Sequence, residues 1–270
     1  WQQYRGLLPR VDQYDLFADA AALEAAAPPL ALANKHARSI KFGKRSAPGC
    51  AVFAPDGLSL ATGSVDGFVE LWNPKTGKMR RDLEYQANDD IMMHEASVLC
   101  LAFSVDSELL ASGSSDGKVK VWQVSSGKCL RRFERAHSQG VTSVCFLRDG
   151  SKLLTSSFDE TAAIHGLNSG KTLKVFRGHT TFVNSACLIN NGSAVVTGGS
   201  DATVRVWDAK TAQCTANFQL PAEADRLSNA AVEQVLTLPD AGRVLVVNRS
   251  ATMHVVAADG SVLRTFVADQ

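Results

Sequence analysis

Four aspartates, Asp66, Asp116, Asp159 and Asp201, stand in one repeated ladder of residues, and that repetition limits what the chain can fold into. Four positions before them come Thr62, Ser112, Thr155 and Thr197, and six after them Trp72, Trp122, His165 and Trp207. Thirteen before come Phe53, Phe103, Phe146 and Leu188; eleven after, Gly77, Gly127, Gly170 and Ala212; seventeen after, Leu83, Phe133, Phe176 and Phe218. His94, His137 and His179 lie twenty-two before the last three aspartates, with Lys44 in that place in the first repeat. A fainter fifth repeat, anchored at Arg249, puts Val255 in the tryptophan slot and keeps Gly260 and Phe266 on the ladder. The anchors are 50, 43, 42 and 48 residues apart.

Each repeat reads as four short strands. In the fourth, "FVNSACLI", "SAVVTG", "TVRVWDA" and "CTANFQL" alternate or run apolar, and "NNG", "GSDA" and "KTAQ" supply the turns. Four-stranded units at this period predict an all-β propeller with five four-stranded blades over residues 41–270. Residues 1–40 read as a mostly extended N-terminal segment that docks on the propeller through Leu7, Leu8, Leu16 and Phe17.

The remaining composition excludes several function classes. A formal net charge of +1 over 270 residues leaves no global basic field for nucleic acid, so any such contact needs a local patch. The candidates are the cluster Lys35, Arg38, Lys41, Lys44, Arg45 and the run Arg131, Arg132, Arg135, each readable as an acidic-partner or RNA contact or as a solvated surface. No run reaches the roughly 20 apolar residues of a membrane span. The six cysteines form no C-x-x-C, so neither a zinc nor a dithiol motif is present, and no metal or cofactor is expected. Cys50, Cys100, Cys145 and Cys187 share one face of the first strand, and Cys129 and Cys214 share a later slot; all are expected as reduced core fillers. The sequons at Asn191 and Asn248 read as chance matches.

The polar ladder invites a catalytic reading. Histidine, hydroxyl and carboxylate recur as His94, Ser112, Asp116 with Trp122, as His137, Thr155, Asp159, and as His179, Thr197, Asp201 with Trp207. An active site occurs once, whereas this set repeats, so it is expected to be a buried relay from indole through hydroxyl and imidazole to carboxylate. His165 then fills a tryptophan slot and has no catalytic role. Gly170-Lys171-Thr172 is no phosphate loop, because His165 stands where its first glycine belongs.

The stretch "GHTTFVNSACLINNGSAVVTGGSDATVRVWDAKT" resembles a WD40 repeat. "WQQYRGLLP", "IKFGKRS", "LRRFERAHSQGVTSV" and "IHGLNSGKTLK" are similar to the WD40 splicing factors of the Smu type. That resemblance implies a seven-bladed propeller, so further blades, or a partner covering the gap, are expected beyond the five. It also implies a nuclear, non-enzymatic scaffold acting in the spliceosome before or at activation. The implied partners are a RED-type splicing protein and other spliceosomal proteins, with any RNA contact indirect or weak, and with self-association through LisH and CTLH segments not present in this chain. The rival reading is a substrate receptor of a cullin-type ubiquitin ligase. Against it, "WDAK", "WNPK" and "WQVS" lack the arginine of the Trp-Asp-x-Arg motif. Partner contacts are expected from residues beside the ladder histidines and turn aspartates: Glu95, Ser138, Thr180 and, as aromatic anchors, Phe158 and Phe182.

Overall fold

The computed structural model describes residues 39–40, 42, 47–219, 231–238, 242–249 and 252–267. The chain divides into two units between residues 39 and 40, and the described residues belong, apart from Ser39, to the second. The expected docking of residues 1–40, and the basic cluster up to Arg45, lie outside the described residues.

Five antiparallel sheets follow one another along the chain. The first holds β1 (Pro48–Phe53), β2 (Leu60–Ser64), β3 (Phe68–Asn73), β4 (Lys78–Met79) and a short β5 (Met92–Met93). The second holds β6 (Val98–Phe103), β7 (Leu109–Ser114), β8 (Val119–Gln123) and β9 (Cys129–Phe133). The third holds β10 (Val141–Phe146), β11 (Lys152–Ser157), β12 (Thr161–Gly166) and β13 (Lys171–Arg177). The fourth holds β14 (Val183–Ile189), β15 (Ala194–Gly199), β16 (Thr203–Asp208) and β17 (Cys214–Gln219). The fifth holds β18 (Val232–Thr237), β19 (Arg243–Asn248), β20 (Thr252–Ala257) and β21 (Val262–Val267).

In every sheet the first four strands pair in chain order, as blades do, and only β5 of the first sheet departs from it by pairing with β3. The first strands β1, β6, β10, β14 and β18 pack in succession and line one shared cavity. Among the described residues β18 makes no comparable contact with β1, so the five blades form an arc rather than a closed ring. Burial follows position in the blade. The second strands are buried almost throughout because a neighbouring blade covers each face, which is why "LLASGS" and "KLLTSS" read as runs of apolar and small residues. The outer strand β13 buries only Phe176. The core lies between blades: Leu154, Phe176, Val195 and Trp207 join the third to the fourth, and Val121, Phe133, Leu153 and Leu167 the second to the third.

The first blade departs from the repeat. The 50-residue spacing between Asp66 and Asp116 reflects an insertion that interrupts its outer strand. β4 pairs only with Trp72 and Asn73, and β5 rejoins the edge at Val69 and Phe68. Between them runs a one-turn helix, α1 (Glu84–Ala87). The fully buried Gln86 amide replaces the missing strand: the Leu71 N–H donates to Oε1 at 2.7 Å, and Nε2 donates to the carbonyls of Leu71 at 3.1 Å and Arg80 at 3.0 Å. The adjoining Tyr85 hydroxyl donates to the Val124 carbonyl of the second blade at 3.1 Å. Its ring lies against Gly127, where any Cβ would fall 2.6 Å from the ring edge. Glycine there serves both the hairpin (φ +67°) and this contact.

The fifth blade corrects the register expected for it. Val244 pairs with Val256 as Val195 pairs with Trp207, so Val256, not Val255, fills the tryptophan slot and the anchor moves from Arg249 to position 250. The hairpin after the third strand is one residue shorter here: Ala257 N–H donates to Ser261 O, against Asp208 N–H to Gln213 O in the fourth blade. That deletion keeps Phe266 opposite Met253, as Phe218 is opposite Val204, and drew the sequence alignment one place off.

The cysteines divide in two. Cys100 and Cys187 are buried and Cys50 and Cys145 half-buried; burial pushes the Cys50 thiol up to about 11 and the Cys145 thiol up to about 12, so both are inert at neutral pH. Cys129 is only half-buried and Cys214 exposed, so the expectation of core fillers fails for that slot. Both sit at the register shift opposite Trp122 and Trp207, on the outermost strand, where no further layer covers them.

Candidate interaction face

The loops that enter the blades pair with the turns that carry the aspartates. Ser115 N–H donates to Ser97 O, Phe158 N–H to Gly140 O, and Ser200 N–H to Phe182 O, at 2.9–3.0 Å. The histidine of each entering loop is also tied backward, with the His94 N–H donating to Gly67 O and the His137 N–H to Gly117 O. A Cβ on Gly117 (φ +81°) would lie 2.4 Å from the His137 carbonyl oxygen, so only glycine fits.

Beneath this face the fourth blade holds a complete relay. Trp207 Nε1–H donates to Thr197 Oγ1 at 2.9 Å, Thr197 lies 2.7 Å from His179 Nε2, and His179 Nδ1 lies 2.9 Å from Asp201 Oδ2. Asp201 also accepts from the Thr180 N–H and from the Thr203 N–H and hydroxyl. With a proton on Nδ1, His179 donates to Asp201, while its Nε2 accepts from the Thr197 hydroxyl, which in turn accepts from the indole. Burial alone would raise the Asp201 carboxyl, but the bonds from His179 and Thr203 overcome it and hold it well below the usual carboxylate range.

The third blade repeats this arrangement with His165 in the tryptophan slot. His165 Nε2 lies 2.9 Å from Thr155 Oγ1, Thr155 lies 2.7 Å from His137 Nε2, and His137 Nδ1 lies 3.0 Å from Asp159 Oδ2. The second ring nitrogen of His165 takes up Thr172 Oγ1 at 3.0 Å, a partner that an indole could not use. His165 is fully buried against Phe133, with ring centroids 5.1 Å apart, and its surroundings give it no access to solvent or substrate.

The second blade breaks the expected pattern. Trp122 and His94 both meet Ser112, at 2.8 Å and 2.6 Å, but His94 Nδ1 is buried without a partner and does not reach Asp116. Two residues after the aspartate the third and fourth blades carry Thr161 and Thr203, whose hydroxyls hold the carboxylate beside the imidazole. Here that position is Lys118, whose ammonium lies 3.5 Å from Asp116, 2.7 Å from Glu95 and 3.4 Å from Glu134. Lys118 draws Asp116 outward, and the relay ends at His94. In the first blade Trp72 donates to Thr62 at 2.8 Å, and Lys44, in the histidine slot, lies outside the described residues.

Acid should weaken the fold in two stages. Burial, with Lys120 nearby, lowers His94 to about 4, and burial with His137 nearby lowers His165 to about 4. An imidazole depressed in the folded state contributes stability that is fully present above its unfolded pKa of about 6.5 and is lost as pH falls toward 4. The depressed Asp159 and Asp201 carboxyls contribute above an unfolded value of about 3.9 and are lost below it. Urea midpoints measured from pH 8 to 3 should therefore fall from about pH 6.5 downward and fall further below about pH 4; a flat profile down to pH 5 would contradict the burial of these rings.

Over this frame Phe158 and Phe182 come together across the boundary of the third and fourth blades. Their rings are 5.1 Å apart at 71°, edge to face. Phe182 is 48% exposed, and Phe158 is half-buried over Gly140. Ser138 and Thr180 present exposed side chains, while their backbone N–H groups hold Asp159 and Asp201. Glu95 is exposed but engaged by Lys118. Val65, 53% exposed in the first blade's turn, adds an apolar site on the same set of turns. The carboxylate cluster around Lys118 had a signal in the sequence, the lysine two places after Asp116. The Tyr85–Gln86 device and the buried His254, bonded to Thr265 at 3.0 Å, had none in the ladder.

The family model described as "Vps8 beta-propeller" matches residues 57–204, more than half of the chain, and "WD domain, G-beta repeat" matches residues 39–73. The WD40 repeat-containing protein smu1 of Dictyostelium discoideum is 38% identical over 272 aligned residues. That alignment covers 100% of this chain and 51% of the relative, so the chain spans about half the length of the curated relative it matches. The Vps8 match is confined to the repeated blades, whereas likeness to the Dictyostelium protein extends through the N-terminal segment and the fifth blade, outside that match.

Proposed function

The chain belongs to the WD-repeat β-propeller proteins of the Smu1 kind, and from that premise we propose that it is a non-enzymatic binding platform in pre-mRNA splicing. In this reading it works in the nucleus and holds spliceosomal proteins, a RED-type partner among them. The observation that supports it most is the Phe158–Phe182 pair, an exposed ring on a half-buried one, set on a turn and an entering loop that the relays tie together. A preorganised aromatic pair loses little entropy on binding and supplies hot-spot area. The polar clusters that resemble catalytic sets are buried and engaged with one another, which favours a platform over an enzyme. The ligase-receptor reading lacks its arginine motif and ranks second.

The test is depletion of the protein from a splicing extract followed by add-back. Wild type should restore complex maturation. Phe158→Ala/Phe182→Ala should fold yet bind its partner about 10- to 100-fold more weakly, the scale of an aromatic hot spot. His165→Trp should fold, because Trp122 and Trp207 fill the same slot in neighbouring blades, and should restore maturation fully. Splicing that proceeds normally after depletion would refute the assignment, as would a folded His165→Trp protein without activity.

A further inference from the structure

The outer strands of the second and third blades carry charge out of proportion to the chain. Residues 128–135 and 171–177 hold Lys128, Arg131, Arg132, Arg135, Lys171, Lys174 and Arg177 against the single acid Glu134, in a chain of net charge +1. Glu134 lies beside Lys118 and does not neutralise the strand cations. Among the described residues, none of Arg132, Arg135, Lys171, Lys174 and Arg177 meets a carboxylate within ion-pair distance.

β9 lies against the third blade. Phe133 of β9 packs on His165 of the third blade, and Arg131 reaches across so that its Nε–H donates to Leu167 O at 2.6 Å. On β13, Phe176 packs toward Trp207 of the fourth blade, so the alternate residues Val175 and Arg177 are on the face turned toward the second blade. Exposed Leu130 (41%), Leu173 (44%) and Val175 (37%) lie among the cations. β13 is the terminal strand of its sheet, and its outward N–H and C=O groups have no backbone partner among the described residues. At seven residues it is longer than β9, β17 and β21, and β17 carries no charge.

We propose that this edge is a second docking site, distinct from the aromatic face, and that its occupant is an extended peptide of alternating acidic and apolar residues that adds to β13 as a fifth strand. Charge complementarity selects the acidic residues, and Leu173 and Val175 select the apolar ones. Single-stranded RNA fits less well, since no aromatic ring is exposed on this edge to stack a base. Seven residues of edge suit a partner segment of about six to eight residues.

The test uses the full chain and a fluorescein-labelled peptide of about ten residues alternating Glu or Asp with Val or Leu. Binding should be saturable, weaken with added salt, and slow amide exchange selectively over residues 171–177. Lys174→Glu/Arg177→Glu, with unchanged melting, should weaken it about tenfold or more. Phe158→Ala/Phe182→Ala should leave it intact, which separates this site from the aromatic face. The proposal is overturned if an oligouridine binds more tightly than the peptide. It is equally overturned if a polyglutamate without apolar residues binds as well, if protection appears elsewhere, or if the charge reversals have no effect.

Discussion

Replacing Gln86 by alanine is expected to destabilise the chain by roughly 2 kcal/mol, the scale of one buried backbone N–H, that of Leu71, left without a partner. The first blade has no outer strand opposite Leu71: the Gln86 amide, at 0% exposure, accepts from its N–H, and its C=O accepts from both Gln86 Nε2 and the Arg80 N–H. Packing can be separated from pairing with Gln86→Glu, which keeps the shape and the acceptor for the Leu71 N–H. Ionised, it turns a second oxygen on the carbonyls of Leu71 and Arg80 and should be as damaging as alanine; protonated, it regains a donor. Its stability should therefore rise as pH falls toward about 5, against the trend of the wild type. Urea unfolding followed by tryptophan fluorescence measures both effects. An alanine variant within about 0.5 kcal/mol of wild type would show that water or rearranged backbone replaces the amide.

Asp201→Ala and Asp116→Ala should differ, although the two residues occupy the same place in the repeat. Asp201 accepts from His179, from two backbone N–H groups and from the Thr203 hydroxyl, so its loss strands several buried donors and should cost about 3 kcal/mol. Asp116 faces solvent and Lys118, and its removal should cost below about 1 kcal/mol, as for exposed ion pairs. Conversely, Lys118→Thr restores the hydroxyl that the third and fourth blades use and should let Asp116 turn to His94 Nδ1. Equal losses at Asp116 and Asp201 would mean that the second blade's relay is closed in solution.

The sequence carried the fold wherever its punctuation was regular and failed where one element changed length. Four blades follow from the aspartate ladder because each anchor, tryptophan slot and hairpin glycine performs the same steric task. The fifth blade slipped by one residue because Gly260 and Phe266 fix the hairpin and outer strand, while the hairpin itself is one residue short. The insertion in the first blade showed only as excess length, since "LEYQA" has no periodicity that reveals an amide standing in for a strand. At the site, the relay membership of His137, Asp159, His179 and Asp201 followed from repetition. The exception at His94 turned on residue 118, outside the ladder but readable once the role of Thr161 and Thr203 is known. The contact between Phe158 and Phe182 lies beyond any pattern, because it joins two loops whose adjacency only the packed blades create.

The order of strand pairing within each sheet also bears on how the chain is made. Among the described residues no strand waits for a partner from a later blade: within each sheet every strand after the first pairs with an earlier one, and the backward ties from His94 to Gly67 and from His137 to Gly117 find their acceptors already synthesised. Sheet contacts of such short sequence separation form early and need little loop closure. A nascent chain leaving the ribosome can thus complete one blade and dock the next entering loop onto it, so that blades accumulate in the direction of translation. A synonymous slowing of translation between residues 94 and 137 should then favour correct assembly, whereas circular permutation through the second blade should deprive His137 of its waiting acceptor and raise the aggregated fraction.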